Sequence, residues 1–269
     1  MRHNTTLARL RLGQPSLGLW LHSHSFHTAR IIAAQGIVDW LLVDLEHTPV
    51  DLSTASMIFA AIADVSAGAC TPLARVAEAT PTQIKHALDA GAQGVIVPMV
   101  NTAQEVADVV RFSRYPPEGE RGAGGLTPHY GFGTNSHIEY VGQANREILV
   151  AVQIETRTAV ENIESILDIP GIDMVFIGPF DLHISLGLPP SLWSSAPEFL
   201  ASIEAVISAC KQRGVPYGTI APNSVGAIAR LSEGFTFISI GTDMVHLLGS
   251  LSVQTQQVRA TLEPDNRSG

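Results

Sequence analysis

The sequence predicts a single (β/α)₈ barrel of the TIM type, and three observations support this prediction. Eight short apolar runs recur at regular spacing along the chain, and a helical pattern follows most of them. The runs are continuously apolar rather than alternating, as is typical of parallel strands buried on both faces. The length of 269 residues suits one such barrel, and no GxGxxG fingerprint of an open doubly wound sheet follows the first run.

The eight predicted strands alternate with eight predicted helices. The strands are predicted at 16–21, 40–47, 71–76, 94–100, 147–155, 172–181, 216–221 and 235–243. The helices are predicted at 27–36, 51–65, 81–91, 102–115, 157–167, 196–214, 224–234 and 244–262. Pro81 near the start of one helix, and Gly36 and Gly91 at the ends of two, are the residues that commonly mark helix boundaries.

We predict one domain over residues 1–269, with its core at about 16–262 and a frayed tail at 263–269. A Gly/Pro-rich segment at 116–135 interrupts the alternation of strands and helices. Because this segment is too long for a plain connection, we expect an active-site flap or a contact with another subunit.

Composition and charge exclude several classes of protein. Hydrophobic residues make up 45% of the chain and charged residues 15%, which favours a sizeable core over disorder. The net charge of −9, without a basic stripe, argues against nucleic acid as a partner. No apolar run is long enough to cross a membrane, and the first residues lack the apolar stretch of a signal peptide. The two cysteines, Cys70 and Cys210, fit a reducing compartment, so we predict a cytoplasmic protein.

Two covalent mechanisms are disfavoured by where the nucleophiles fall. The chain has two lysines, Lys85 and Lys211, and both lie within predicted helices. A Schiff-base enzyme needs a lysine in its pocket. Neither Cys70 nor Cys210 stands at the carboxyl end of a strand, which also argues against a thiolate nucleophile.

The carboxyl ends of the predicted strands carry the polar residues, and in this fold the chemistry belongs at those ends. The polar and aromatic residues there are Trp20, His22, His24, Asp44, Glu46, His47, Arg75, Gln153, Glu155 and Asp181. We therefore expect these side chains to converge on one rim of the barrel.

Glu155 and Asp181 end neighbouring predicted strands. Two carboxylates so placed repel each other unless a cation or a proton lies between them, and oxygen ligands suit Mg²⁺ or Mn²⁺. Gln153 faces the same side as Glu155 and could hold a metal-bound water. The alternative is that each carboxylate caps the following helix or forms a salt bridge at the rim.

The segment from Asp44 to His47 pairs carboxylates with an imidazole, an arrangement that suits a general base. The alternative is a rim histidine bonded to a loop carbonyl. Arg75 needs an anionic partner, which is either a substrate oxygen or one of the carboxylates Asp44 and Glu46. For His22 and His24, pocket lining or surface exposure is favoured over a second metal site.

Seven segments of the chain together indicate a family. They are GLWLHS, WLLVDLEHTP, PLARV, LDAGAQGVIVPMV, RYPPEGERG, VQIET and GIDMVFIGPFDLHISLG. From about Leu17 to Gly249 the chain resembles the metal-dependent (class II) pyruvate aldolases of the 4-hydroxy-2-oxoheptanedioate and 2-dehydro-3-deoxyglucarate aldolase type. The resemblance implies aldol cleavage of a 4-hydroxy-2-oxo acid to pyruvate and an aldehyde. It also implies Mg²⁺ or Mn²⁺, with Co²⁺ as a further candidate, no organic cofactor, and a homo-oligomer (trimer or hexamer) whose last helix packs on a neighbouring subunit.

The resemblance also implies a role for each site residue. Glu155 and Asp181 would be metal ligands, and Gln153 would contact a bound water or the substrate. His47 would be the base with Asp44 as its partner, and Arg75 would be a cation near the keto oxygen. The remaining roles are a cradle for the substrate carboxylate, a pocket wall, and a structural or subunit-contact acid, implied for Gly178 to Asp181 (with Pro179 and Phe180), for Trp20 and for Asp89, respectively.

The sequence departs from the family pattern at His22, His24, Phe180, His183 and 126–137. These positions could border the aldehyde half of the pocket, so the acceptor aldehyde stays open. Three other functions also stay open: an oxaloacetate decarboxylase, an acyl-CoA lyase and a non-catalytic 2-oxo-acid-binding protein. An acyl-CoA lyase would need a basic cluster at the rim, and the sequence offers none.

Overall fold

The computed structural model describes residues 1–124 and 137–262. Eight parallel strands close into a barrel in chain order, with β1 paired to both β2 and β8. The strands are β1 (Ser16–Leu21), β2 (Trp40–Asp44), β3 (Thr71–Arg75), β4 (Gly94–Val97), β5 (Leu149–Ile154), β6 (Met174–Ile177), β7 (Tyr217–Ile220) and β8 (Phe237–Thr242). The predicted (β/α)₈ barrel is confirmed.

Helices surround the barrel. Those in the first half are α1 (Thr5–Arg11), α2 (Phe26–Ala34), α3 (Leu52–Val65), α4 (Pro81–Ala90), α5 (Ala103–Ser113) and α6 (His137–Glu147). Those in the second half are α7 (Arg157–Glu161), α8 (Ile163–Leu167), α9 (Pro179–Ser185), α10 (Pro197–Arg213), α11 (Ser224–Ser232) and α12 (Asp243–Leu262). Lys85 lies in α4 and Lys211 in α10, away from the strand ends as predicted.

Short polar side chains start the helices that follow the strands. Ser25, Asp51, Thr80 and Thr156 each accept a backbone N–H three residues further on. Thr102 forms a full capping box at the start of α5. These caps satisfy amide groups that a helix start leaves without partners. The loops before these helices therefore end at defined residues, which helps to fix where the preceding rim residues lie.

The barrel interior is filled by large side chains from the strands and from α1. Trp40 stacks on Phe237 with ring centroids 4.1 Å apart. A Cβ on Gly18 would lie 2.0 Å from the Trp40 ring, so only glycine fits there. Leu7 and Leu10 of α1 belong to this same buried cluster, at the amino end of the strands. The core therefore begins before residue 16, where the sequence pattern predicts its start, and α1 was not predicted.

Three further elements differ from the sequence predictions. Helix α6 was not predicted, and the predicted helix 157–167 divides into α7 and α8 at Asn162. Strand β6 ends at Ile177 rather than at 181, because Pro179 starts α9. Proline has no amide to donate to a strand and its fixed φ suits the first turn of a helix.

Part of the predicted flap and the predicted tail lie outside the described residues. Within residues 116–124, the buried Arg121 donates a 2.7 Å hydrogen bond to Asp89. Whether 125–136 forms a flap, and whether 263–269 is frayed, stay predictions. In residues 1–124 and 137–262, no helix is long and apolar enough to span a membrane. The cytoplasmic location also stays a prediction.

Candidate active site

A cavity of about 400 Å³ opens at the carboxyl end of the barrel. Its lining combines aromatic, aliphatic and polar side chains from several strands and loops. These residues are Trp20, His22, His47, Arg75, Gln153, Phe176, Gly178, Pro179, Phe180, Asp181, Leu192, Ile220 and Thr242. Two further predicted site residues, Asp44 and Glu155, are buried and contact lining residues instead of lining the cavity themselves. The structure thus brings the predicted site residues together.

Asp44 and Arg75 form a bidentate ion pair at the ends of β2 and β3, where they are direct register partners. The Arg75 Nε donates to Asp44 Oδ1 at 2.8 Å and its Nη2 to Oδ2 at 2.6 Å. Burial alone would raise the pKa of Asp44, but the hydrogen bonds and the charge of Arg75 outweigh it and hold that pKa below its usual value. Asp44 is therefore ionised at neutral pH.

Arg75 has two further contacts that fix its plane. Its Nε lies 3.1 Å from Glu46 Oε2, and its Cζ lies 4.4 Å from the centroid of the Trp20 ring. Burial raises the pKa of Glu46, an effect that the charge of Arg75 only partly offsets. The aromatic face and the two carboxylates leave Arg75 Nη1 without an acceptor among the described residues, so a donor is available to a ligand.

The imidazole nearest to Asp44 belongs to His22 and not to His47, which differs from the predicted pairing. His22 Nε2 lies 3.5 Å from Asp44 Oδ2. His47 reaches Asp44 only through its backbone amide, at 3.5 Å, while its Nε2 lies 3.6 Å from Glu46 Oε2. The reason is position: Asp44 is the last, inward-facing residue of β2, whereas His47 follows three residues later in an exposed bend.

Glu155 is a buried carboxylate held by two donors. Gln153 Nε2 donates to its Oε2, and the backbone amide of Met99 donates to its Oε1 at 2.8 Å. Burial raises the pKa of Glu155 to about 7 and outweighs the hydrogen bonds from Gln153 and Met99, which lower it; the charges of Asp181 and Glu46 add smaller contributions that raise it. The carboxyl group is therefore poised to lose its proton when a cation approaches.

Because Gly178 has no side chain, it leaves room for the Glu155 carboxylate. A Cβ at this position would lie 2.5 Å from Glu155 Oε2 and 2.8 Å from Gln153 Nε2. Asp181 does not end β6 as predicted but lies in the first turn of α9. It still lines the cavity together with Gly178, Pro179 and Phe180. Asp181 therefore still lies at the rim, although it belongs to the start of α9 and not to the end of β6.

The residues present fit a divalent cation only as an open site completed by other ligands. In residues 1–124 and 137–262, no group of three or more His, Cys, Asp and Glu is arranged to hold a metal. Glu155 and Asp181 supply two carboxylates, and Gln153 Oε1 is buried without a hydrogen-bond partner. A buried carboxylate with a raised pKa and an unsatisfied amide oxygen are both groups that a hard cation with its waters would satisfy.

One carboxylate at this rim was not predicted from the sequence. Asp243, the first residue of α12, accepts hydrogen bonds from the backbone amides of His22 and Ser23 and from the Ser23 hydroxyl. Its position directly after β8 is the signal that could have identified it, because β8 closes the barrel against β1. Cys70 and Cys210 are buried, and burial raises the pKa of each thiol to about 12, which agrees with the prediction that neither is a thiolate nucleophile.

A closed parallel barrel whose strand ends surround an acidic, arginine-containing cavity defines the class of (β/α)₈-barrel enzymes. The family model described as HpcH/HpaI aldolase/citrate lyase matches residues 16–249. The chain belongs to this HpcH/HpaI aldolase/citrate lyase family.

Two curated relatives of the chain are aldolases. The chain is 39% identical over 240 residues to a 4-hydroxy-2-oxo-heptane-1,7-dioate aldolase of Shigella sonnei, covering 89% of each chain. It is 39% identical over 236 residues to a 2-keto-3-deoxy-L-rhamnonate aldolase of Escherichia coli, covering 87% of this chain and 85% of that one. The crystal structure of an HpcH/HpaI family protein of Burkholderia cenocepacia superposes with a TM-score of 0.88 at 33% identity, covering 95% and 99%.

Proposed function

We propose that this enzyme catalyses the reversible, divalent-metal-dependent aldol cleavage of a 4-hydroxy-2-oxo acid to pyruvate and an aldehyde. The observation that supports it best is the meeting of Asp181, Gln153 and Arg75 on one cavity, with the buried Glu155 bonded to Gln153. The names of two relatives, each an aldolase acting on a 2-oxo acid, favour this reaction over an acyl-CoA lyase.

Glu155 and Asp181 would hold the cation, which we expect to be Mg²⁺ or Mn²⁺, with Co²⁺ as a further candidate, and Gln153 would orient a bound water or the substrate. The cation supplies Lewis-acid polarisation of the 2-oxo acid. The backbone from Gly178 to Asp181 would receive the substrate carboxylate, beside the start of α9. Trp20 and Phe180 would form walls that exclude water from the reacting atoms.

In the cleavage direction, His47 takes the proton from the C4 hydroxyl of the substrate. The C3–C4 bond then breaks, its electron pair stays with the pyruvate half, and C4 leaves as the aldehyde carbonyl. Arg75, fixed by Asp44 and Glu46, places a permanent positive charge beside the keto oxygen, where negative charge develops. Loss of the base is expected to lower the rate by about 10²–10⁴.

Pyruvate release tests this proposal directly. We expect pyruvate to form from 4-hydroxy-2-oxo acids only with metal present, to stop with EDTA, and to return with Mg²⁺ or Mn²⁺, as followed with a coupled lactate dehydrogenase. Asp181→Asn should abolish release, and the matched control Glu198→Gln, an exposed carboxylate on α10, should not. Pyruvate release that persists in EDTA, or none with any metal across short and long substrates, would contradict the proposal.

We also propose that the enzyme is a homo-oligomer, a trimer or hexamer in which α12 packs on a neighbouring subunit. Asp243 is the one buried residue of this 20-residue helix in the described chain. Its large apolar side chains are exposed, namely Val245, Leu247, Leu248, Leu251, Val253, Val258 and Leu262. An exposed apolar surface of this extent is typical of a subunit contact, and a second copy of this chain is the occupant we propose.

A further inference from the structure

His22 is a second imidazole of the cavity, and it faces an ionised carboxylate. Its Nε2 is buried, has no hydrogen-bond partner among the described residues, and lies 3.5 Å from Asp44 Oδ2. Catalytic hydrogen bonds are often this long before a substrate binds. A carboxylate opposite Nε2 favours the tautomer with its proton on Nε2. The lone pair of Nδ1 is then free to accept a proton.

The backbone of His22 is held in place from the other side of the barrel seam. Asp243 Oδ1 accepts its amide at 2.8 Å, and Asp243 Oδ2 accepts the amide of Ser23 at 3.2 Å. The loop after β1 is therefore fixed to the start of α12. A side chain that carries a proton needs such a fixed support, because catalysis depends on its position to within a fraction of an ångström.

His22 contacts the same groups as Arg75, the residue that holds the keto oxygen in the proposed reaction. His22 and Arg75 share the Asp44 carboxylate and both contact the Trp20 ring, His22 at 6.4 Å between ring centroids. The His22 side chain is 34% exposed, whereas that of His47 is 62% exposed. His47 is thus nearer the cavity mouth, and His22 is nearer the inner end, where C2 and its neighbour C3 would lie.

We propose that His22, oriented by Asp44, is the proton-transfer residue for C3 of pyruvate, while His47 serves the C4 hydroxyl. This inference rests on the proposed lyase reaction. In the direction of bond formation, His22 Nδ1 takes a proton from C3, and the electron pair of that C–H bond forms the C2–C3 double bond of the enolate. The enolate carbon then attacks the aldehyde, whose oxygen receives a proton from protonated His47. Cleavage is the reverse: His22 takes up a proton from solvent and delivers it to C3, and His47 releases the C4 hydroxyl proton to solvent.

The charges around His22 suit this role. Burial lowers its pKa, with Arg75 and His24 acting in the same direction, while Asp44 and Asp243 oppose them. These groups come from β2, β3, α12 and the loop that carries His22. The net lowering keeps the imidazole neutral at neutral pH, and only a neutral imidazole can accept the C3 proton.

Exchange of the C3 protons of pyruvate isolates this step, because it needs no aldehyde. The Mg²⁺-loaded enzyme is incubated with pyruvate in D₂O, and the loss of the methyl signal is followed by proton NMR. We expect His22→Gln to slow exchange by about 10²–10⁴ while the Kd for pyruvate, measured by the shift in melting temperature, changes less than about threefold. His47→Gln should keep the exchange and lose cleavage of the 4-hydroxy-2-oxo acid. The matched control His27→Gln, an exposed imidazole on α2, should retain both.

A second variant guards against misfolding of the first. His22→Ala should regain exchange when imidazole is added, since the side chain it removes is partly open to the cavity. Exchange by His22→Gln at the wild-type rate would overturn the inference, as would loss of pyruvate binding together with exchange. If wild-type enzyme with metal releases no pyruvate from any 4-hydroxy-2-oxo acid, the proposed function itself is wrong. This outcome is distinct from a failure of the His22 inference alone, in which the wild type cleaves the substrate and His22→Gln exchanges at the wild-type rate.

Discussion

Two carboxylates of the site, Asp44 and Glu155, have opposite electrostatic surroundings. Asp44 meets a bidentate guanidinium, and its pKa is lowered. Glu155 meets only neutral donors, and burial raises its pKa to about 7. One carboxylate is therefore a permanent anion that orients Arg75, and the other changes charge near neutral pH. This difference suggests separate tasks, orientation for Asp44 and cation binding for Glu155.

Replacing Glu155 should change how the metal-free protein responds to pH. A raised carboxyl pKa means that, between about pH 4.5 and 7, the folded protein holds a proton that the unfolded chain has released. The free energy of unfolding in EDTA should therefore fall as pH rises through this window, by at most about 3 kcal/mol. Glu155→Gln should lack this contribution. Urea unfolding of both proteins at pH 5 and pH 8 measures it, and parallel pH dependences would contradict it.

Gly178→Ala tests whether space beside Glu155 is required. The added methyl would meet the carboxylate and the Gln153 amide at distances below 3.0 Å, so both must move. Because a shift of about 1 Å can cost about 100-fold in rate, we expect kcat/KM to fall by that order. Gly142→Ala, on α6 with no atom within 4 Å of the added Cβ, is the matched control and should retain full activity. Equal activity of the two variants would refute a steric requirement at Gly178.

Individual residues also show how far the sequence could predict this site. The strand pattern predicts the rim positions of Asp44, Arg75 and Gln153, because polar residues at the carboxyl end of an apolar parallel strand lie at the rim of the barrel. The pairing of Asp44 with His22 does not follow, since it depends on the distance between two loops. The role of Asp243 depends on the closure of β8 against β1, which a reading of separate segments does not reveal.

At the scale of elements, the strands were predicted better than the helices. All eight strands have the apolar runs that burial on both faces demands. α1 was missed because its few residues, TTLARLR, carry only a short amphipathic pattern, and its burial arises from the open end of the barrel. α9 was merged with β6 because the apolar run continues to Phe180, and the proline that starts the helix lies inside it.

α1 should contribute to stability and not to catalysis. Leu10 is 2% exposed within the cluster that closes the amino end of the barrel, opposite the cavity. Leu10→Ala is expected to lower the free energy of unfolding by about 2–5 kcal/mol, with kcat/KM unchanged at temperatures where the variant is folded. Leu12→Ala, at an exposed position just after α1, is the control and should shift stability by about 0.5 kcal/mol or less. A loss of kcat/KM without a loss of stability would be evidence against this division.

At the scale of the whole molecule, the two ends of the barrel differ in role: the amino end supports the fold, and the carboxyl end carries the candidate active site. The amino end is filled by Trp40, Phe237 and α1, and the carboxyl end carries the cavity with its charged groups. His22 and Phe180, two of the positions where the sequence is expected to depart from the family pattern, both line this cavity. Changes there alter the cavity without disturbing the buried cluster that holds the strands together.

The exposed face of α12 gives the prediction at this scale. Leu247 and Leu251 are one helical turn apart and both are more than half exposed. Replacing both by glutamate would place two charges in the proposed subunit contact, so we expect a smaller assembly in size-exclusion chromatography with light scattering. Ile228→Glu, at an exposed position on α11, is the matched control and should keep the wild-type mass. An unchanged mass for the double variant would place the contact elsewhere.

The hydrogen bonds of Asp243 connect the proposed subunit contact with the candidate active site, which has a consequence for inhibition. One side chain starts the helix proposed to pack on a neighbour and also holds the loop that carries His22. A compound that displaced α12 from the neighbouring subunit would disturb that loop without entering the cavity. It would lower turnover without competing with the substrate, and raising the concentration of the 2-oxo acid would not reverse its effect. The surface of α12 is therefore a target for inhibitors that is separate from the reaction chemistry.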